Sequence, residues 1–172
     1  MHTRYRAIAR VTKAHGRRGE VVTVPVHGLP PLLRDGLEVY VVPPALKGPR
    51  SRVVRSARGD EAGMLASLSG VDDLDAAERL VGRTLLARWD DLPHGFELHD
   101  PDALVGKAVK DSRLGDLGSI TEVMRGPAND VWVVDGPKGE VLLPVIDEVV
   151  SSVPAAGPIQ VSVPEGLIGG GR

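Results

Sequence analysis

Apolar and polar residues alternate along most of this chain in short runs closed by Gly, Pro or Asp, the spacing expected of an all-β barrel or sandwich. In the first half the runs are Tyr5–Thr12, Gly19–Val26, Leu37–Val42, Ser51–Ser56, Met64–Ser69 and Thr84–Trp89. Between the last two the period becomes helical, from about Asp72 to Val81. Asp72 and Asp73 are cap candidates, Asp75 precedes Glu78 by three as in a capping box, and Gly82 follows the end. Ala76, Ala77, Leu80 and Val81 then share one face, which suits a lid over an open barrel end.

After Trp89 the stretch DDLPHGFELHDPD is acidic and carries two prolines and a glycine, which reads as a linker. Strands resume at Ala108–Asp111, Gly118–Arg125, Asp130–Asp135, Glu140–Ile146, Val149–Val153 and Ile159–Val163. Pro144 and Pro164 mark edges, bulges or strand ends. The pattern therefore predicts an all-β chain of two small barrels: one over residues 1–91 with a single capping helix, a linker over 92–101, a second over 102–168, and a disordered GGGR tail over 169–172.

Charge changes this picture more than composition does. Residues 1–59 hold twelve Lys/Arg against three Asp/Glu, or +9, whereas residues 60–172 hold nine against twenty, or −11. The front is drawn to polyphosphate and the rear is repelled by it. The absence of Cys excludes disulfides, thiolate nucleophiles and cysteine-ligated metal centres. No run reaches the roughly eighteen apolar residues of a membrane span, and MHTRYRAIAR lacks a signal-peptide core, so a cytoplasmic chain without membrane partners is expected.

Catalytic signatures are weak. There is no nucleophile elbow, phosphate loop or dinucleotide fingerprint. The best metal-like group is His94, Glu97, His99, Asp100 and Asp102, but it lies in the expected linker, where ligands lack rigid support. The reading is a non-enzyme with no cofactor and no metal.

The basic turn in VTKAHGRRGEVVTV places Lys13, His15, Arg17 and Arg18 on one hairpin, with Arg10 just before it. Surface arginines often only solubilise a sheet edge. Here Arg4, Arg6, Arg50, Arg52, Arg55 and Arg58 also mostly alternate with apolar positions, so a cationic stripe on outward faces is expected. Such a stripe binds RNA by backbone and shape. With only Tyr5 and Tyr40 aromatic before Trp89, a base-stacking platform is not expected.

In the rear, Asn129 and Asp130 stand at a turn leading to Trp132, and Pro144, Asp147 and Glu148 separate two apolar runs. Asn129 and Asp147 commonly cap turns of their own backbone. Trp132 either closes a small core or anchors a partner. An acidic barrel tagged with an aromatic suits a basic protein.

These residues resemble a known family. VTKAHGRRGEVVTV is similar to the amino-terminal signature of the ribosome maturation factor RimM family, and LVGKAV, LGSITEV, NDVWVV, LLPVIDEVV and PEGLI resemble, in order, its carboxy-terminal PRC-barrel domain. The resemblance runs from about Ile8 to Ile168. It implies a non-catalytic, monomeric assembly factor, a chaperone for the head of the small ribosomal subunit that assists maturation of its RNA. Its implied protein partner is ribosomal protein S nineteen, engaged chiefly through the PRC barrel, while the front barrel approaches ribosomal RNA. Positions matching the family pattern are His15, Gly16, Gly19, Glu20, Gly106, Gly118, Asn129, Asp130, Pro144 and Asp147. Where family members carry adjacent aromatics before the PRC barrel, this chain reads FELHDPDALVG, so Phe96, Leu98 and His99 are expected to supply those contacts. The expected sites are thus Arg10, Lys13, His15, Arg17 and Arg18 for ribosomal RNA, and Phe96, Leu98, His99, Asn129, Asp130, Trp132, Pro144 and Asp147 for the ribosomal protein. The alternatives are a stand-alone RNA-binding translation or ribosomal protein, and a hydrolase or metalloenzyme using the histidine and carboxylate cluster near His94 and His99.

Overall fold

Six antiparallel strands close on themselves in the first unit of the computed structural model, which describes residues 2–168. They are β1 (Tyr5–His15), β2 (Glu20–Pro25), β3 (Glu38–Val42), β4 (Ser51–Asp60), β5 (Gly63–Leu68) and β6 (Thr84–Arg88), in the cyclic order β1-β2-β5-β4-β3-β6. Alternation sends Val11, Val21, Val39, Val54, Ala66, Leu68, Leu85 and Ala87 inward. These are mostly small or β-branched side chains, as a narrow barrel requires. Closure leaves no free sheet edge.

Two strands run longer than the alternation suggests because each contains a bulge. In β1 the partner register with β2 steps from Val11↔Thr23 to Lys13↔Val22, so Thr12 is an extra residue and Thr12 and Lys13 are both exposed. In β4 the step falls between Val54 and Ser56.

The helix α1 spans Leu74–Glu78 only. Asp73 is its cap, accepting from the Ala76 N–H at 2.7 Å; the Asp75–Glu78 box does not form the cap. Beyond Glu78 the chain tightens into i→i−3 turns, with Leu80 N–H donating to Ala77 and Val81 to Glu78, and Gly82 (φ 84°) then donates to Val11 of β1 at 2.8 Å. Ala77 and Leu80 are buried as expected, but the tightening turns Val81 out to 43 % exposure.

The second unit is a five-stranded sheet ordered β10-β9-β8-β7-β11, built from β7 (Ala108–Asp111), β8 (Gly115–Met124), β9 (Val131–Gly136), β10 (Gly139–Pro144) and β11 (Ile159–Val161). Only β11 is parallel to its neighbour. Side chains from both outer strands, Val141 and Leu143 of β10 and Ile159 and Val161 of β11, enter one core with Leu104, Leu117, Ile120, Trp132 and Val134. The sheet is therefore rolled around a single core, and among the described residues no ladder joins its outer strands. Gly118 and Gly136 permit this: a Cβ on Gly118 would lie 2.0 Å from the Asp135 carbonyl oxygen.

Two expectations fail here. Val149–Val153 is not a strand. Residues 146–149 turn, with Val149 and Val150 N–H both donating to Ile146, and both valines drop into the core, which a strand's alternation forbids for neighbours. Nor is 92–101 a linker. The chain divides into Met1–Pro93 and His94–Arg172, and residues 94–101 are folded within the second unit. Phe96–His99 form a 3-10 turn with Phe96 buried, and Asp100 caps α2 (Pro101–Leu104), accepting from the Asp102 N–H at 3.1 Å. The Pro, Gly and Asp that suggest a linker are the punctuation of these two turns. The GGGR tail lies outside the described residues.

Moving the boundary to 93/94 changes the charges. The first unit holds fifteen Lys/Arg against eleven Asp/Glu, or +4, and the second six against twelve, or −6. The polarity survives, but the acids from Asp60 to Asp91 belong to the basic unit.

Candidate nucleic-acid and partner interfaces

The β1–β2 hairpin gathers the five residues expected to meet RNA. Arg10 points outward opposite Val24 and Thr84. The bulge at Thr12, held by its hydroxyl donating to the Val22 carbonyl at 3.1 Å, turns Lys13 to solvent. His15 closes the ladder against Glu20, and Gly16 (φ 73°) and Gly19 (φ 79°) shape the turn that carries Arg17 and Arg18. All five side chains are exposed, and among the described residues none has an intramolecular hydrogen-bond or ion-pair partner.

The turn is also fixed in place. A Cβ on Gly19 would lie 2.7 Å from the backbone N and O of Asp73 and 2.8 Å from the Val71 carbonyl oxygen. The hairpin backbone thus packs directly on the segment that leads into α1.

Most other arginines of the expected stripe are tied within the barrel, whereas Arg50 is exposed and, among the described residues, has no side-chain partner. Arg55 pairs with Asp72 at 2.7 Å and Arg58 with Glu20 at 3.7 Å. Arg52 donates to the Ser69 carbonyl at 2.8 Å, and the Arg4 guanidinium sits 4.2 Å over the Trp89 ring. The unpaired part of the stripe contracts to the hairpin and Arg50. Towards the other end of β1, Tyr5 and Tyr40 meet edge-on at 4.9 Å, and Arg88 donates to the Tyr40 hydroxyl. Ser51 donates to Glu38 at 2.7 Å and holds its carboxyl below the usual range, helped by Tyr40 and Arg88.

The rear residues separate into two groups. Trp132 is fully buried and Phe96 is 4 % exposed, so neither is a surface anchor. Asp130 is also buried, because it is the acceptor of a small ionic cluster: its Oδ2 lies 2.6 Å from His99 Nδ1 and accepts from Arg125 Nη1. Arg125 Nη2 donates to the His99 carbonyl at 3.0 Å, and Trp132 Nε1 to the Leu98 carbonyl at 2.9 Å. These bonds draw Leu98, His99 and Asp130 together beside the start of β9. Pro144 pairs in register with Val131, and Val145 N–H donates to the Asp130 carbonyl at 2.8 Å, which brings the end of β10 to the same place. Asn129 and Asp147 are exposed, Leu98, His99 and Pro144 half-buried. Of the expected rear residues, Leu98, His99, Asn129, Pro144 and Asp147 thus reach the surface.

Sequence reasoning missed Arg125. Its signal was an arginine five residues before Asp130 across the GPAN turn, a turn so tight that a Cβ on Gly126 would lie 2.2 Å from the Asn129 carbonyl oxygen. It also missed Asp111, a buried carboxylate accepting from the N–H groups of Arg113, Leu114 and Val163, each at 2.7 Å. Burial pushes its pKa up, but those three donors outweigh burial and hold it below the usual carboxylate value. Among the described residues no three His, Asp or Glu side chains are grouped to hold a metal ion, and no helix is long and apolar enough to cross a membrane.

A family model for the RimM N-terminal domain matches residues 7–92, and one for the RimM PRC barrel domain matches residues 94–167. The chain is 31 % identical over 170 residues to the ribosome maturation factor RimM of Desulfitobacterium hafniense (strain Y51), covering 95 % of each chain. It is 38 % identical over 161 residues to that of Rubrobacter xylanophilus, covering 92 % of this chain and 94 % of the relative. The solution structure of the N-terminal domain of RimM from Thermus thermophilus is similar at 25 % identity and a TM-score of 0.39, covering 52 % of this chain and 95 % of that one. The two family matches fall in order on the two folded units, meeting where the first unit ends at Pro93, and the chain therefore belongs to the RimM family.

Proposed function

We propose that this chain is a non-catalytic maturation factor for the head of the small ribosomal subunit, bridging nascent ribosomal RNA and ribosomal protein S nineteen. The observation that carries the reading is the β1–β2 hairpin, whose five exposed basic groups have no internal partner while the neighbouring Arg52, Arg55 and Arg58 are tied down. Cations left unpaired on a rigid turn neutralise phosphates without reading bases. The rear unit has the opposite balance, and Glu122, Asp135, Glu140, Asp147 and Glu148 are exposed there without side-chain partners among the described residues, which suits a basic protein. The surface beside Leu98, His99, Asn129, Pro144 and Asp147 is its docking place. The chain works as a cytoplasmic monomer; closure of the first barrel supports this by removing an edge for self-pairing.

The test is binding of the full chain to a head-domain RNA fragment and, separately, to S nineteen. Replacing Arg17 and Arg18 together by Glu weakens RNA binding about tenfold or more and flattens its salt dependence by about two phosphate contacts, while S nineteen binding is retained. Unchanged RNA affinity and salt slope in a folded variant would sink the front half of the bridge. If S nineteen binding survives Asn129→Arg and Asp147→Arg combined, the rear half fails.

A further inference from the structure

The first unit contains a second cationic feature that the hairpin does not explain. A cleft of about 260 Å³ opens between the loop after β3, the start of β4 and the turns that follow α1. Lys47, Arg52, Arg79 and Arg83 line it, and among the described residues no acidic one does. The remaining wall is backbone and small or apolar side chains, including Val41, Pro44 and Leu80.

The guanidinium groups are held by neutral acceptors only. Arg83 donates from Nε to the Arg79 carbonyl at 3.0 Å and from Nη1 to the Pro43 carbonyl. Arg52 donates to the Ser69 carbonyl, and Gly70 makes room for it, since a Cβ there would lie 2.7 Å from Arg52 Nη1. Lys47 and Arg79 have no side-chain partner among the described residues, and no carboxylate pairs with any of the four. Asp72, just before α1, is committed to Arg55. Four like charges around one small cleft repel each other, and carbonyl dipoles fix their directions without neutralising them. Positioned arginine forks with spare donors match the oxygens of a phosphate group, and apolar walls strengthen that attraction.

We propose that this cleft is a phosphate-binding site, taking a phosphate of a polynucleotide backbone or of a free phosphorylated compound. It stands on residues other than those of the hairpin, so the two can fail separately.

Backbone amide spectra of the full chain, titrated with inorganic phosphate against chloride of equal ionic strength, test it. Saturable shifts are expected at Lys47, Arg52, Arg79 and Arg83. Lys47→Glu with Arg79→Glu lowers phosphate affinity at least tenfold, and because neither side chain has an internal partner the fold is kept, as far-UV spectra check. In the Arg17→Glu, Arg18→Glu chain, whose altered residues lie outside the cleft lining, the shifts at Lys47, Arg52, Arg79 and Arg83 are expected to persist. Two further arms name the source: a short RNA that displaces phosphate from the cleft identifies backbone phosphate, and a mononucleotide that does so where RNA fails identifies a free compound. The site is refuted if phosphate, mononucleotide and RNA all leave these amides unmoved, or if the Lys47→Glu, Arg79→Glu chain shows the same saturable shifts.

Discussion

The indole N–H of Trp132 donates to the carbonyl of Leu98 at 2.9 Å, so the residue that sequence offers as a partner anchor is what fastens the Phe96–His99 turn to the second core. Removing the ring opens a cavity at the centre of that core and strands the Leu98 carbonyl. Trp132→Ala is expected to cost about 3–5 kcal/mol, and Trp132→Phe, which keeps most of the packing but loses the bond, roughly 1–2 kcal/mol. Denaturant unfolding measures both. Loss of partner binding in either variant follows the loss of fold, and Trp132→Phe binding S nineteen weakly at full foldedness would restore the anchor role.

Gly19 and Gly16 make a matched pair at one turn. Both have positive φ, but a Cβ on Gly16 meets nothing within 4 Å, whereas one on Gly19 strikes the Asp73 backbone. Gly16→Ala therefore carries only the left-handed penalty of about 1–2 kcal/mol. Gly19→Ala carries the same penalty plus the displacement of the segment before α1, and is expected to lower stability by clearly more. Thermal unfolding of the two variants side by side checks this; equal losses would mean that the hairpin does not rest on that segment.

Most strands are legible in the sequence because alternation is local, and what depends on distance is hidden there. Alternation makes β1 and β4 too short because the bulges at Thr12 and next to Val54 break the two-residue period that defines a strand. Two adjacent valines suit a strand at Val149 and Val150, yet only the folded core shows both pointing inward. The hairpin's exposure is legible, since a Gly-flanked basic turn has nowhere to bury. Which arginines remain unpaired is not, because Arg55 finds Asp72 seventeen residues away and Arg58 finds Glu20 thirty-eight residues away. For the same reason the front-to-rear contrast of +9 against −11 shrinks to +4 against −6 once acids such as Asp72 are assigned to the barrel they pair with.

Asp111 gives the second unit an acid-sensitive clasp, joining the β7–β8 turn to Val163 beyond β11. Its folded pKa lies below the usual carboxylate value. Its contribution is therefore complete above the unfolded pKa and is lost as pH falls through the lower folded one. Asp111→Asn is expected to cost roughly 1–3 kcal/mol near neutrality and to flatten the acid limb of the stability curve. Unfolding midpoints from about pH 7 down to about pH 3 test this against the parent chain; parallel curves would show that Asp111 carries no linkage.

Asp130 is the hub on which the 96–99 turn, the GPAN turn and β9 converge, because its carboxylate meets both His99 and Arg125. Asp130→Ala leaves the Arg125 guanidinium, itself mostly buried with 22 % side-chain exposure, facing an empty acceptor position. The expected cost is about 2–4 kcal/mol, below that of a fully buried pair because His99 and Arg125 both reach solvent. Arg125→Met in the same chain removes the stranded charge and is expected to restore part of the loss, giving a coupling free energy of about 1 kcal/mol or more in the double-mutant cycle. S nineteen binding supplies a second readout. If the cluster positions Leu98 and His99 for the partner, the single variant binds weakly under conditions where it is still folded, and the double variant, having no His99 acceptor, stays weak although its stability recovers. Binding that tracks stability through the cycle would confine the cluster to a structural role.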